Sequence, residues 1–244
     1  MKLTTVGYWG AYAEKNEATS CYLVEEEDTK ILIDCGSGAL SKLQNYIELT
    51  ELDAVFISHI HTDHIADIYS LEFAMLIQTQ LKNRKKPLDV YIYAENLETL
   101  SFAYPDIVHV KKINLEDSIQ IGPFTLSFME NIHEIPCCSI KVSNQQGTVM
   151  VYSADTGYNE RFIDFCKEVN LLLIECSFFK AQKGFVKGHL SSGEVGEIIS
   201  KANVEEAVLT HFPHFGQVDQ LVEEVKAFCD KKIYRAKEGF SIKI

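Results

Sequence analysis

The sequence predicts an α+β protein, a mostly antiparallel pair of sheets with helices outside them. Short apolar, partly β-branched runs bounded by turn residues recur along the 244 residues, with helical stretches set between them. Chemistry-bearing side chains stand at or just past the ends of these runs: Asp34, the loop 59–64, His133, Asp155, Glu175 and His211. Strand ends that gather such residues converge on one edge of a sheet assembly. Gly and Pro are scattered and no linker-like or low-complexity stretch divides the chain, so residues 1–244 are expected to form one domain.

Residues 3–8, 19–25 and 30–34 read as the first three strands, and the polar loop 9–18 is placed to border a site. After Asp34-Cys35-Gly36-Ser37-Gly38, residues 38–49 carry helical periodicity through Leu40, Leu43 and Ile47. Residues 53–58 are a buried strand, and a helix runs from Ile65 through Leu71 and Leu76. Residues 88–93 read as a strand and 95–102 as a short helix. Residues 112–115 and 118–128 look like antiparallel strands around the Glu116-Asp117 and Gly122-Pro123 turns. Residues 139–143 and 148–153 form a hairpin across Asn144-Gln145-Gln146-Gly147. Residues 171–174 are a buried strand ending at Glu175. A helix opens after His189, with Ser191 or Ser192 as its cap and Glu194 near the third position. Residues 207–210 lead to His211, 218–228 form an amphipathic helix, and 239–244 close the chain as a strand.

A net charge of -12 argues against general affinity for long nucleic acid, which rests on Lys and Arg neutralising phosphates. No apolar run approaches the roughly 20 residues needed to cross a bilayer, and the first residues lack a signal-type apolar segment. The seven cysteines are odd in number and include no Cys-x-x-Cys, so they are expected to be reduced thiols of a cytoplasmic protein. Lys82, Arg84, Lys85 and Lys86 follow a helix, where cations suit the carboxyl end, and read as structural.

Ile57-Ser58-His59-Ile60-His61-Thr62-Asp63-His64 packs three imidazoles and a carboxylate into six residues on a strand-to-helix loop. His59 and His61 can point the same way from extended backbone. Asp63 and His64 follow as the chain turns and can face a second point. Imidazole with carboxylate suits zinc, and less strictly manganese or iron.

With a lone His133, then Asp155, then His211, this loop resembles the signature of the metallo-β-lactamase superfamily. The resemblance runs from Ile33-Asp34-Cys35-Gly36 to Leu209-Thr210-His211-Phe212. It implies a four-layer αββα sandwich with two zinc ions per chain at one edge, manganese or iron being alternatives. It places His59, His61 and His133 on the first metal and Asp63, His64 and His211 on the second, with Asp155 bridging. Two neighbouring cations need an anionic bridge, and together they can hold a water as hydroxide and clamp a phosphoryl oxygen. Asp63 is thereby counted among the catalytic residues. His109 and His214 fall outside the pattern.

Two further stretches narrow the resemblance. Ile174-Glu175-Cys176-Ser177-Phe178 resembles the Glu-Ala-Thr motif of ribonuclease Z, and Gly188-His189-Leu190-Ser191-Ser192 its His-Ser-Thr motif. In that family the Glu orients the His, and the His assists at the scissile phosphate. Here Cys176-Ser177 stand for Ala-Thr and Leu190 for Ser. Ribonuclease Z also carries a long tRNA-gripping arm between its lone His and bridging Asp. Asp155 follows His133 by only 22 positions, filled by the predicted hairpin, so no arm fits.

The loop 178–187 holds three lysines, three phenylalanines and no acid. Aromatics can stack a base and lysines can hold a phosphate, which makes Phe178, Lys180 and Lys187 candidate substrate contacts. The alternative is a solvated loop whose phenylalanines anchor it in the core. The expected function is a dinuclear-zinc phosphodiesterase for a small or flexible phosphodiester, such as a cyclic nucleotide or short RNA. Stable binding of long nucleic acid and of membranes is not expected, and the resemblance is compatible with a homodimer. The second reading is a carboxylic-ester, lactone or thioester hydrolase, because Tyr158 resembles a tyrosine position in lactonases of this superfamily. Other readings are tRNA 3′ processing, disfavoured by the missing arm, and a metal-bearing scaffold, disfavoured by the complete ligand set.

Overall fold

A computed structural model describes residues 1–244. The chain divides into two compact units, residues 1–114 with 237–243, and residues 115–236 with residue 244. Each unit is built on one seven-stranded sheet.

In the first unit, β1 (Lys2–Gly7), β2 (Cys21–Glu26) and β3 (Thr29–Ile33) pair antiparallel. Then come α1 (Ala39–Leu43), β4 (Ala54–Ile57), α2 (Thr62–Ile65), α3 (Ile68–Gln80), β5 (Leu88–Ile92) and β6 (Val108–Lys112). From β3 to β6 every pairing is parallel. The closing strand Ser241–Lys243 returns to lie antiparallel on β1. Leu32, Val55 and Val90 from the sheet pack with Ala39, Leu43, Leu71 and Met75 from the helices in one buried cluster.

The second unit begins with β7 (Ile119–Ile121), β8 (Phe124–Glu130), β9 (Cys138–Ser143) and β10 (Val149–Tyr152), paired antiparallel. It continues with α4 (Glu160–Phe165), β11 (Leu171–Glu175), α5 (Ser192–Ala202), β12 (Glu206–Thr210), α6 (Val218–Lys226) and β13 (Lys232–Arg235). From β10 to β13 the pairing is parallel.

The sheets are therefore mixed, half antiparallel and half parallel, where mostly antiparallel pairing was expected. Parallel neighbours need a crossover, and the helices between β3 and β5 and between β10 and β13 supply it. The expected pairing of 112–115 with 118–128 does not form. The strand there is β6, which pairs with β5, while β7 and β8 turn around Gly122-Pro123. The helical stretch at 38–49 shortens to α1, and 95–102 keeps a single 3₁₀ turn, Leu97–Thr99.

Central strands β4 and β11 are buried along their whole length, as continuous apolar runs require. Ser191 caps α5 as expected, its N–H and hydroxyl both donating to Glu194. Arg84 is buried and donates to the carbonyls of Thr50, Leu52, Lys86 and Pro87, a structural role. All seven cysteines are free, and burial pushes the thiols of Cys21, Cys35, Cys166 and Cys176 upward. No helix is long and apolar enough to cross a membrane.

Candidate metal and proton-transfer site

The first unit gathers its candidates where β3 and β4 end. Asp34 follows β3 in a left-handed conformation (φ 57°) that swings its carboxylate back toward the neighbouring strand end. It accepts from the Ser58 N–H (2.8 Å), the Ser58 hydroxyl (2.9 Å) and His64 Nδ1 (2.7 Å). The Ser58 hydroxyl has one proton and gives it to Asp34, so its oxygen accepts from His59 Nδ1 at 3.1 Å. His59 and His64 thereby both carry the proton on Nδ1, and each turns its Nε2 lone pair away from the Asp34–Ser58 pair. His59 Nε2 lies 3.1 Å from His61 Nδ1, and His64 Nε2 lies 3.5 Å from Asp63 Oδ2. Asp63 also accepts the Ala11 N–H at 2.8 Å, so the polar loop 9–18 does border these residues. Gly36 is required here, because a Cβ would meet the Asp63 carbonyl oxygen at 2.0 Å.

The second unit places Asp155 just past β10. Its Oδ1 is 3.3 Å from His211 Nε2 and its Oδ2 is 3.8 Å from His133 Nε2. One carboxylate thus offers a separate oxygen to each of two imidazoles. His211 follows β12 in a left-handed conformation (φ 53°). His133 turns Nδ1 toward Glu134 (2.9 Å) and the Gly188 carbonyl (3.2 Å).

Glu175, wholly buried at the end of β11, accepts from Thr156 N–H (2.7 Å), Leu190 N–H (3.2 Å), the Ser177 hydroxyl (2.6 Å) and His189 Nδ1 (3.2 Å). With its proton given to Glu175, Ser177 accepts from His211 Nδ1 at 2.9 Å, which leaves His211 Nε2 facing Asp155. The His189 ring stacks on His211 (centroids 5.4 Å, 15°) and meets His133 edge-on (5.2 Å). Burial opposes charge on His189. The Glu175 carboxylate outweighs it, with Asp155 and Glu134 adding, and the pKa rises to about 10. The Glu175 carboxylate thus favours the charged, donating form of His189.

The donor sets fit a small divalent cation. Ligands about 2.0–2.1 Å from a tetrahedral zinc stand roughly 3.3 Å from one another. The donor pairs above, at 3.1, 3.3, 3.5 and 3.8 Å, bracket that spacing. Imidazoles whose far nitrogen is held by a carboxylate or hydroxyl are the usual form of metal-binding histidine.

The other candidates are placed as follows. The Phe178 ring is 6.2 Å from His189. Lys180 lays its ammonium over the Phe228 ring (4.9 Å), and Lys187 is exposed two residues before His189. Tyr158 donates to Glu197 (2.8 Å) and accepts from Lys201 (2.9 Å). His109 lies beside Asp89 at 3.5 Å. Sequence reasoning missed the roles of Ser58, Ser177 and Glu134. Their only signal was adjacency: each sits within two residues of a histidine or carboxylate already singled out.

Residues 29–212 match the model of a family described as a beta-lactamase superfamily domain. The chain belongs to the metallo-β-lactamase superfamily. It is similar to the probable metallo-hydrolase YhfI of Bacillus subtilis strain 168, at 40% identity over 98% of each chain. The crystal structure of the metallo-β-lactamase fold protein YhfI from Bacillus subtilis superposes with a TM-score of 0.94, at 36% identity over 99% of this chain and 98% of that one. The short form of human tRNase Z shares the fold at a TM-score of 0.79, with 20% identity over 100% of this chain and 99% of that one. The two mixed sheets with their helices are thus the metallo-β-lactamase fold, and the chain is a metallo-hydrolase of that fold, for which the superfamily implies bound metal.

Proposed function

We propose that this metallo-hydrolase is a two-zinc phosphodiesterase acting on a small or flexible substrate such as a cyclic nucleotide or short RNA, its two units working as one domain. The observation that carries the reading is the Glu175–His189 pair. A charged imidazole, held at 3.2 Å by a buried carboxylate and stacked on His211, suits a phosphate oxygen and a departing alkoxide. His59, His61 and His133 would hold one ion, Asp63, His64 and His211 the other, and Asp155 both. Bound metal supplies Lewis acidity toward a phosphoryl oxygen and the attacking water. The protein's own part is to hold His59, His64, His133 and His211 by the far nitrogen, to keep the Glu175 carboxylate dry, and to deliver a proton from His189 to the leaving oxygen.

Tyr158, on which the lactone reading rests, spends its hydroxyl on Glu197 and Lys201. The β9–β10 hairpin occupies the chain between His133 and Asp155, where a tRNA-gripping arm would be. That segment and the net charge of -12 favour small substrates over tRNA. Free, buried cysteines favour a reducing cytoplasm.

A hydrolysis panel on zinc- and manganese-loaded protein tests this reading. Turnover of bis(4-nitrophenyl) phosphate and of a cyclic nucleotide or dinucleotide should exceed that of lactones, thioesters and precursor tRNA. A preference for lactone or thioester would overturn it.

A further inference from the structure

The loop between β11 and α5 was expected either to touch substrate or to anchor itself in the core. The structure leaves none of its phenylalanines in the core. Phe179 is half-buried, its ring 6.1 Å from that of Phe215. Its ring covers Gly216, which has φ +73° and leaves no room for a Cβ. Phe185 is 75% exposed, and Phe215, from the loop after His211, is 46% exposed. Phe178 lies between them, its ring 6.0 Å from Phe185 and 6.2 Å from Phe215. The same Phe178 ring is 6.2 Å from His189. Two separate loops therefore bring these rings into one row, and the His189 imidazole lies beside its middle ring, Phe178.

Two exposed rings gathered on a half-buried third leave contiguous apolar surface in water, which marks an interaction site. The charge nearby limits what could cover the row. Residues 178–187 contain no acid, and Lys187 stands exposed between Phe185 and His189 in a chain of net charge -12. An apolar protein surface or a lipid chain would not need a cation two residues from Phe185 and two from His189 in the chain. A flat, apolar group joined to an anion would use both.

We infer that Phe185, Phe178 and Phe215 form a shelf on which the aromatic base of a nucleoside phosphate stacks while its phosphate lies at His189. This rests on the phosphodiesterase reading for the phosphate's place, and on the row's own exposure for the base. Specificity on such a shelf follows from stacking area, so purines are favoured over pyrimidines and any base over none.

Equilibrium binding to the zinc-loaded protein tests the shelf without turnover. The probes are adenosine 5′-monophosphate and ribose 5-phosphate, measured by calorimetry. The nucleotide should bind tighter by roughly 5- to 150-fold, the range for one base on an aromatic side chain. Phe185→Ala and Phe215→Ala should each shrink that ratio, Phe185→Tyr should keep it, and ribose 5-phosphate should bind all variants alike. Both alanine changes are at exposed rings, so near-ultraviolet dichroism and Tm serve as folding checks. Equal binding of the two probes to wild type, or an undiminished ratio in both alanine variants, would overturn the shelf. A ratio that behaves as expected in a protein that cleaves no phosphodiester would uphold the shelf and remove the reaction assigned above.

Discussion

Asp34 in the first unit and Glu175 in the second solve the same problem with the same parts. Each is a wholly buried carboxylate just past or at a strand end. Each takes one imidazole directly, His64 or His189, and a second through a serine hydroxyl, His59 through Ser58 or His211 through Ser177. They differ in what the directly held imidazole faces. His64 is sealed and turns its far nitrogen toward Asp63, a ligand-type carboxylate, at 3.5 Å. His189 keeps 19% of its side chain exposed and lies beside Phe178. One arrangement thus turns an imidazole toward a second carboxylate or toward an accessible edge, and under the proposed function these are a metal ligand and a proton carrier.

If the two are equivalent as scaffolds, breaking them should separate metal retention from proton transfer. The largest effect is expected from Asp34→Ala, which strands the Ser58 N–H, the Ser58 hydroxyl and His64 Nδ1 in the interior. Denaturant unfolding should show a loss on the order of 3–5 kcal/mol. Chelator competition on the folded fraction should show both ions weakened, since His59 and His64 are assigned to different ones.

Ser177→Ala and Ser58→Ala form a matched pair of smaller changes. Each frees one imidazole's Nδ1, and each should weaken one ion by about 10–100-fold while sparing the other. Nitrogen-15 spectra of the metal-free protein should show His211 lose its fixed Nδ1–H form in Ser177→Ala, and Ser177→Thr should restore it. Loss of both ions in either variant would break the comparison.

The smallest effect concerns pH. The pKa of His189 is raised from 6.5 to about 10 in the fold, so its pairing with Glu175 stabilises fully below pH 6.5 and is lost as pH climbs through about 10. In metal-free protein, the Tm gap between wild type and His189→Gln should narrow across that window. A gap that widens with rising pH would show that His189 is buried neutral.

Much of this arrangement was legible in the sequence, for a physical reason. His59, His61, Asp63 and His64 are neighbours in the chain, so their spacing alone states their geometry. Strands such as β4 and β11 announce themselves as apolar runs because both faces are covered. The carboxylate–serine hubs were not legible. Ser58 lies 24 positions from Asp34 and Ser177 lies 34 from His211, and only tertiary pairing closes those distances. Parallel pairing was also invisible, since periodicity reports which face is buried and not which neighbour is bonded. Residues 38–49 show the converse error. Leu43 and Ile47 are both buried, yet the α-helix stops at Leu43, because burial at helical spacing does not oblige the hydrogen-bond ladder to continue. The polar strand β13 and the six-residue α4, whose start Asn159 caps by accepting from Phe162 N–H, were too short to carry a pattern.

The division between ligand and proton carrier is tested most directly by leaving-group dependence. An activated aryl group departs without a proton, whereas a ribose alkoxide does not. At saturating zinc, kcat/KM is measured for His189→Ala and Asp63→Asn on bis(4-nitrophenyl) phosphate and on a dinucleotide. His189→Ala should lose on the order of 10²–10⁴-fold on the dinucleotide and far less on the aryl ester, while Asp63→Asn should lose alike on both. Equal losses on the two substrates for His189→Ala would contradict its role as proton donor and leave it a phosphate-binding cation.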